Sequence, residues 1–269
     1  MTAKPMIRTL APTRVVGNGG TRVVVSHGWM ADHTLFDPLV ELIDQDIFTY
    51  AFIDCRGYGA RRDEEGPMTV EAAAEDAIAV ANHLGWERFH VVGHSMGGMV
   101  AQRLMVDVPG RLLSAILIAP VPASGAKIDD DRRALLVRAA HEADIRRGLI
   151  DINTGKTRND AFLDHVLAIS LSSTTAKGLE AYMTSWTTTD FADKARGNLV
   201  PVLTIIGELD PGAQPQRIKD TILAWYPNAR LEQMKGVGHY PMQEDPVALV
   251  SMMYEHLKTA QPREIGIIG

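Results

Sequence analysis

The chain has 269 residues, with 33 acidic and 27 basic side chains, and therefore a formal net charge of −6. This balance argues against nucleic acid as a partner, because neutralising phosphates requires a concentrated basic face. With 46% hydrophobic and 22% charged residues, the composition is that of a folded chain with a sizeable core, as one large domain or two small ones.

Seven short segments rich in apolar and β-branched residues predict β-strands. Most are continuous apolar runs, as expected for strands buried on both faces of a parallel sheet, and most precede a segment with helical spacing. The first precedes a glycine-rich turn signal and predicts an antiparallel edge strand. In chain order the predicted strands are 14–16, 21–25, 48–53, 89–92, 113–118, 202–206 and 230–234.

Helical spacing between these strands predicts helices that cover the sheet. Residues 69–84 begin with the N-cap residue Thr69 and end before Gly85, which suits a helix C-terminus. Residues 96–108 and 246–257 are also predicted helices, the second with proline in its first turn. The sequence thus predicts an α/β fold with a mostly parallel central sheet and helices on both faces.

The alternation of strand and helix stops between residues 121 and 199. The pattern there is helical throughout, over about 130–145, 160–171 and 175–186. This stretch is far longer than the usual crossover of about a dozen residues. We therefore predict a core formed by residues 1–121 and 200–269, with a helical cap inserted at 122–199.

Ser95 lies in the most informative segment of the sequence. The predicted strand at 89–92 leads into Gly-His-Ser-Met-Gly and then into a predicted helix. A sharp strand-to-helix turn of this kind exposes the serine at the strand tip, and glycine at 93 and 97 avoids crowding of neighbouring backbone. A glycine-rich turn with an incidental serine is the alternative interpretation.

A nucleophilic serine needs a base, and the base needs a carboxylate that orients it. His239 lies in a loop between the last predicted strand and the last predicted helix, where a side chain reaches the carboxyl end of the sheet. Asp210 and Glu208 both follow the preceding strand and compete for the role of the acid. Turn chemistry beside Pro211 favours Asp210.

These three side chains follow one another in the order Ser, Asp, His, as in the α/β-hydrolase family. Residues 22–258 resemble that family with a helical cap. Ser-His-Gly-Trp at 26–29 resembles the family's oxyanion loop, and Asp-x-Arg-Gly-x-Gly at 54–59 resembles its loop after the next strand.

The stretch 186–215 is similar to the branch that contains non-haem haloperoxidases and aryl esterases. The sequence Gly-His-Ser-Met-Gly-Gly at 93–98 is shared more widely, including with enol-lactonases and carbon–carbon bond hydrolases. Met30 stands where the haloperoxidase-like branch has a proline that looks characteristic of perhydrolysis, which argues against that activity.

The resemblance also implies which groups bind the substrate. It places the oxyanion hole at the backbone N–H groups of Trp29 and Met96, while His27 braces their loop. From the apolar positions of the predicted cap and of the two loops, we expect the pocket to be lined by Trp29, Leu163, Leu167, Met183, Trp186 and Tyr240.

No pattern indicates a metal site or a cofactor. Cys55 is the only cysteine, so a disulfide framework and a cysteine-based metal site are excluded. Asp54 and Arg56, on either side of it, are interpreted as a loop-closing ion pair and not as a second catalytic pair. Cys55 itself is interpreted as a packed side chain.

The expected location is the cytoplasm. The single cysteine suits a reducing compartment, the first twenty residues lack the apolar run of a signal peptide, and no apolar stretch reaches the roughly 20 residues that span a bilayer. We expect a small-molecule substrate, with neither nucleic acid nor membrane as a partner. The sequence leaves open whether the chain forms a homo-oligomer.

The sequence therefore predicts a serine hydrolase that cleaves a small to medium, fairly apolar carboxylic ester or lactone through an acyl-enzyme. A carbon–carbon bond hydrolase or a perhydrolase using the same three residues is the nearest alternative. A non-catalytic relative that binds a small ligand is the alternative from a different functional class, because fold alone does not separate these activities.

Overall fold

The computed structural model describes residues 7–259. Within these residues a sheet of seven strands has the order β1-β3-β2-β4-β5-β6-β7. Strand β1 is antiparallel to β3, and all other neighbours are parallel. The strands are β1 (Arg14–Val16), β2 (Thr21–Ser26), β3 (Phe48–Ile53), β4 (Phe89–His94), β5 (Leu112–Ile118), β6 (Val202–Gly207) and β7 (Ala229–Met234).

Helices cover this sheet, so the predicted fold class is confirmed. They are α1 (Asp37–Val40), α2 (Val70–His83), α3 (Met96–Asp107), α4 (Asp130–His141), α5 (Ala143–Asn153), α6 (Asp160–Ser173), α7 (Ala176–Thr188), α8 (Ala192–Ala195), α9 (Pro215–Asp220), α10 (Ile222–Trp225), α11 (Pro241–Glu244) and α12 (Pro246–Thr259). In the described part of the chain, no helix combines the length and the apolarity needed to cross a membrane.

The central strands are apolar because both of their faces are buried. All six residues of β4 are buried, as are all six of β6. Strand β4 extends two residues beyond its predicted end, because Gly93 and His94 pair with Leu117 and Ile118 of β5. Parallel strands place their carboxyl ends at one edge of the sheet, and the residues that follow β4, β6 and β7 therefore meet there.

Helices α4 to α8 lie between β5 and β6, and we call α4–α7 the inserted helices. The predicted single helix over 130–145 is wrong: α4 ends at His141, Glu142 has extended backbone, and α5 begins at Ala143. The break has a physical cause, because the buried Arg146 side chain donates to the carbonyls of Ala139 and Ala140 at the end of α4.

Candidate active site

Ser95 has a strained backbone that the surrounding structure holds in place. It lies between β4 and α3 with φ 54° and ψ −114°, a conformation that costs about 1–3 kcal/mol for a residue with a side chain. Its N–H donates to the carbonyl of Ile118 at 2.8 Å, and its own carbonyl accepts from Gly98 and Val121 at 3.0 Å each. Bonds from α3 and from the chain around the end of β5 thus fix the turn.

The two glycines that flank Ser95 in the motif have no room for a side chain. A Cβ atom at Gly93 would lie 2.0 Å from the carbonyl oxygen of Gly97, and one at Gly97 would lie 2.3 Å from that of Ser26. The motif is therefore a requirement of the turn itself, as the sequence predicts.

Asp210 and His239 form a hydrogen-bonded pair. Nδ1 of His239 donates to Oδ2 of Asp210 at 2.7 Å, and Oδ1 of Asp210 accepts from the N–H of Gly212, also at 2.7 Å. Asp210 is fully buried. Glu208, the competing candidate, instead accepts from the N–H of Gly236 near the surface. The pairing leaves Nε2 of His239 as the basic nitrogen.

The electrostatics of the pair favour the ionised form of Asp210 and the protonated form of His239. Burial disfavours the charged form of both groups, but their mutual attraction and hydrogen bond outweigh it. As a result the pKa of Asp210 lies below its ordinary value, and the pKa of His239, helped by Glu244, lies above its ordinary value.

Ser95, Asp210 and His239 all line one cavity of about 360 Å³. Within residues 7–259, the side-chain hydrogen bond of His239 is the one to Asp210, and none joins its ring to the Ser95 hydroxyl. Both groups nonetheless face the same space. Most of the other lining side chains are apolar, and they include Ala119, Val121, Leu136, Leu149 and Ile152.

The two predicted oxyanion donors flank Ser95. Met96 is the first residue of α3, and Trp29 follows β2 and lines the cavity. Among the described residues, neither backbone N–H has a protein acceptor. Gly28 must be glycine here, because a Cβ would lie 2.7 Å from Nδ1 of His94 and 3.2 Å from Cβ of Ser95.

His27 has both ring nitrogens engaged in bracing this loop. Nδ1 donates to the carbonyl of Gly28 at 2.8 Å, and Nε2 accepts from the N–H of Cys55 at 2.9 Å. The ring therefore ties the end of β2 to the end of β3 and has no nitrogen left for a substrate.

Of the expected pocket residues, Trp29, Trp186 and Tyr240 line the cavity. The Trp29 and Trp186 rings meet edge to face at 5.8 Å, and Nε1 of Trp29 donates to the carbonyl of Leu179 in α7. These contacts join the loop after β2 to the inserted helices.

The expectation that Leu163, Leu167 and Met183 line the pocket is corrected by the structure, because none of them is among its lining residues. Leu163 and Met183 are buried in the hydrophobic core, and Leu167 packs against it from a partly buried position. Their apolar spacing reflects packing between elements. The inserted helices instead contribute lining residues from α4 and α5, including Leu136 and Leu149.

Two arginines line the cavity, which sequence reasoning missed. Arg132 lies in the first turn of α4 and Arg217 lies in α9. Neither has a carboxylate within 4 Å among residues 7–259. Burial lowers the pKa of Arg217 and the nearby Asp210 raises it, with a net lowering. They are the two basic side chains, apart from histidines, among the lining residues of the described part of the chain.

The predicted ion pair between Asp54 and Arg56 is wrong. Arg56 pairs with Asp76 at 2.7 Å, whereas Asp54 accepts from His33 Nδ1 at 2.9 Å. Asp32, His33 and Asp54 are the one group in residues 7–259 with ligand atoms close enough to hold a metal ion. Asp54 Oδ2 accepts from a backbone N–H and Asp32 Oδ1 accepts from the N–H of Thr34, so loop bracing accounts for the cluster.

His239 has further partners that the sequence does not reveal. Nε2 of His94 donates to the His239 carbonyl at 2.8 Å, and the carbonyl of Asn153 accepts from the His239 N–H at 2.9 Å. Glu244 accepts from the N–H groups on both sides of His239. The only sequence signal was that Glu244 follows His239 by five residues in a proline-initiated turn.

The sequence is similar to those of known proteins. The pimeloyl-[acyl-carrier protein] methyl ester esterase of Klebsiella pneumoniae is 26% identical over 249 residues, which is 87% of this chain and 93% of that protein. Two other curated relatives are matched over only 28% and 37% of their own length.

Solved structures show the same fold. An esterase from Thermogutta terrifontis, 22% identical, superposes with a TM-score of 0.79 over 92% of this chain and 93% of its own. A bromoperoxidase from Bacillus anthracis, 18% identical, superposes with a TM-score of 0.78 over 91% of this chain and 94% of its own. The predicted resemblance to a family with esterases and haloperoxidases is thereby confirmed.

A model of a protein family also matches most of the chain. The alpha/beta hydrolase family matches residues 23–252, a range that includes Ser95, Asp210 and His239. On this match and on the mostly parallel sheet described above, the chain belongs to the alpha/beta hydrolase family.

Proposed function

We propose that this chain is a serine hydrolase that cleaves a carboxylic ester or lactone through an acyl-enzyme intermediate. The observation that carries the proposal is the strained Ser95 turn facing the same cavity as the hydrogen-bonded pair of Asp210 and His239. A catalytic hydrogen bond is often long in a ligand-free site and tightens when substrate binds, so the proposal does not require a bond between Ser95 and His239 before substrate is present.

In the first half-reaction, Oγ of Ser95 attacks the ester carbonyl carbon while Nε2 of His239 takes the hydroxyl proton. The negative charge on the former carbonyl oxygen is stabilised by the N–H groups of Trp29 and Met96, each worth about 10² to 10³ in rate. The tetrahedral intermediate collapses, the bond to the leaving oxygen breaks, and His239 returns the proton to that oxygen. Asp210 holds the imidazole in the required tautomer throughout.

In the second half-reaction, His239 takes a proton from water and the resulting hydroxide attacks the acyl carbon. The bond to Ser95 Oγ breaks, and the proton passes from His239 to that oxygen. The products are a carboxylic acid and the regenerated enzyme. For a lactone, the acid and the alcohol are parts of one molecule.

The substrate we propose is small to medium in size with an apolar body. A cavity of about 360 Å³ with an apolar lining supports this. We propose that residues 122–199 act as a cap on a core of residues 1–121 and 200–269, of which 1–6 and 260–269 lie outside the described residues. The esterase named among the relatives supports ester cleavage as the reaction type.

Perhydrolysis is a weaker candidate, because Met30, and not proline, lines the cavity beside Trp29. Ligand binding without catalysis has no observation in its favour beyond the shared fold. Turnover therefore separates the candidates: esterase activity with an acyl-enzyme favours the proposal, and binding of an ester without hydrolysis favours a receptor.

The test combines covalent labelling with kinetics. A fluorophosphonate should modify Ser95, seen as a mass shift on its peptide, and p-nitrophenyl butyrate should be hydrolysed. Ser95→Ala should abolish labelling and lower kcat by about 10⁶, as removal of the nucleophile does in other serine triads, without lowering the melting temperature. A variant that retained most of the activity would remove Ser95 from the mechanism.

A further inference from the structure

Glu244 is a buried carboxylate that neither acid–base chemistry nor substrate contact accounts for. Its side chain has 0% exposure. Oε2 accepts from the N–H of Gly238 at 2.8 Å, and Oε1 accepts from the N–H of Tyr240 at 2.9 Å. One carboxylate thus spans His239, holding the backbone on both sides of it.

The positive charge that balances Glu244 comes from the inserted segment, the stretch of chain that contains the inserted helices and the loops between them. Arg158, in the loop between α5 and α6, pairs with Oε2 of Glu244 at 2.8 Å and donates to the carbonyl of Gly236 at 2.9 Å. Removing a carboxylate from water costs several kcal/mol unless it is paired and hydrogen-bonded. Arg158 and the two N–H groups meet that need, so the charge can remain buried beside the base.

The same segment touches His239 directly. The carbonyl of Asn153, the last residue of α5, accepts from the His239 N–H at 2.9 Å. Gly238 is required at this approach, because a Cβ would lie 2.5 Å from the Asn153 carbonyl oxygen and 2.6 Å from Cα of Thr154. The loop that presents the base is therefore packed against the end of α5.

Several charged or titratable groups surround the His239 ring. Asp210 hydrogen-bonds to it from the loop after β6, and the neutral His94, whose pKa burial lowers to about 3, packs against it from the end of β4. Glu244 acts from α11, with Arg158 opposing it across the loop. Besides Asp210, Glu244 is the group that raises the pKa of His239 against its burial.

We propose that Glu244 and Arg158 form a charge-balanced clamp that positions His239 and tunes its basicity, coupling the inserted segment to the catalytic base. The inference rests on the proposed role of His239. Glutamate is specific here because two oxygens accept two N–H groups, whereas glutamine offers one oxygen and one NH₂. Glu244 and Arg158 are positioning residues, since they act through His239 and do not line the cavity.

Two substitutions that remove opposite charges test the clamp. Glu244→Gln removes the negative charge near His239, so its imidazole should lose its proton at a lower pH and the acid limb of the kcat/KM profile should move down in pH. Arg158→Gln removes the positive charge, so the His239 imidazole should lose its proton at a higher pH and the acid limb of the kcat/KM profile should move up in pH. A merely structural loss would not give shifts of opposite sign.

Kinetics give the second readout. Loss of one loop hydrogen bond in Glu244→Gln should lower kcat by about 10- to 100-fold through misplacement of the base, while KM changes little. Arg147→Gln is the matched control, because Arg147 pairs with Asp160 and Asp164 within the inserted helices. Its pH profile and kcat should match those of the unmodified protein.

The His239 titration is also followed by NMR on protein with ¹³C-labelled histidine, assigned with His239→Gln. This readout does not need turnover. Unchanged His239 titration in both charge variants overturns the clamp, even if ester hydrolysis and Ser95 labelling persist. Absence of ester hydrolysis by the unmodified protein overturns the proposed function, whereas opposite NMR shifts would still support the clamp.

Discussion

At the scale of single residues, Ser95 shows how the chain supports a strained conformation. Its positive φ is held by three backbone hydrogen bonds, to the end of β5, to α3 and to the chain after β5. Because these bonds come from separate elements, relaxing the turn would break several of them at once. The strained turn is therefore held in place, and Ser95 lines the cavity.

Asp210→Asn should lower kcat by about 10⁴, because an asparagine NH₂ facing His239 Nδ1 favours the wrong tautomer. Steady-state hydrolysis of p-nitrophenyl butyrate measures the effect. Glu208→Gln is the matched control, since within residues 7–259 its carboxylate accepts a single hydrogen bond, from the N–H of Gly236 at the surface. If that change proved the more damaging, the assignment of the acid would be wrong.

Arg132 and Arg217 line the cavity and have no carboxylate within 4 Å among residues 7–259. We therefore predict a preference for substrates that carry a carboxylate. The monoethyl ester of a medium-chain dicarboxylic acid should have a KM about 5- to 10-fold lower than its diethyl ester, the size expected for partly exposed ion pairs. The preference should disappear in Arg132→Gln/Arg217→Gln. Equal KM values for the two esters in the unmodified protein would contradict the prediction.

At the scale of elements, Arg146 organises the inserted helices. It is 4% exposed, and it donates to two carbonyls at the end of α4, to Ser170 in α6 and to Thr174. It is a buried cation whose hydrogen bonds go to neutral oxygens. One side chain thus ends α4, sets the start of α5 and ties both to α6.

Arg146→Met should lower the free energy of unfolding by about 3 kcal/mol. Methionine has a similar length but no N–H group, so several buried acceptors would lose their donor. Urea denaturation measures the loss. Arg138→Met is the control, since Arg138 makes an exposed pair with Glu142 one helical turn away and its removal should leave the urea midpoint unchanged. Equal midpoints for both variants would show that Arg146 does not organise these helices.

At the scale of the whole molecule, the parallel sheet gathers residues that are far apart in the chain. Ser95 follows β4, Asp210 follows β6 and His239 follows β7, so all three lie at the carboxyl edge. The inserted helices complete the cavity over that edge with side chains from α4, α5 and α7. The site is thus built by three strand ends and one insertion.

Buried histidines predict how stability responds to acid. Burial lowers the pKa of His256 in the folded protein to about 4, from 6.5. Between these two pH values, the His256 side chain is protonated in the unfolded chain and neutral in the folded one, so acid favours unfolding. The contribution of His256 to the free energy of unfolding is complete above about pH 6.5 and is lost as the pH falls towards 4. At pH 5 the loss is about 2 kcal/mol. His256→Gln should remove that part of the pH dependence.

Urea midpoints at pH 8 and pH 5 measure this effect as a difference between variants. The comparison is needed because His33 and His239, whose pKa values are raised, have the opposite dependence. His165→Gln, at an exposed position, is the control and should keep the full pH dependence. The same pH dependence in His256→Gln as in His165→Gln would contradict the assignment.

The sequence by itself predicted the strands and most of the long helices, because local rules decide them. It also predicted that Asp210 and His239 meet, because each follows a strand of one parallel sheet. Continuous apolar runs indicate buried parallel strands, and Gly93 and Gly97 are needed by their own turn. The chain order of the strands then places their loops at one edge.

Only the tertiary structure decided which groups surround the site. Leu163 and Met183 lie at apolar positions of predicted helices, but they pack in the core and do not line the cavity. Apolar spacing shows that a helix face is buried, but it does not show which surface covers that face. Arg146 and Glu244 are polar in sequence, yet their side chains are buried in the fold, because their partners, Arg158 among them, come from other segments of the chain. Long-range hydrogen bonds leave no local pattern, and for that reason the clamp around His239 appears only once the chain is folded.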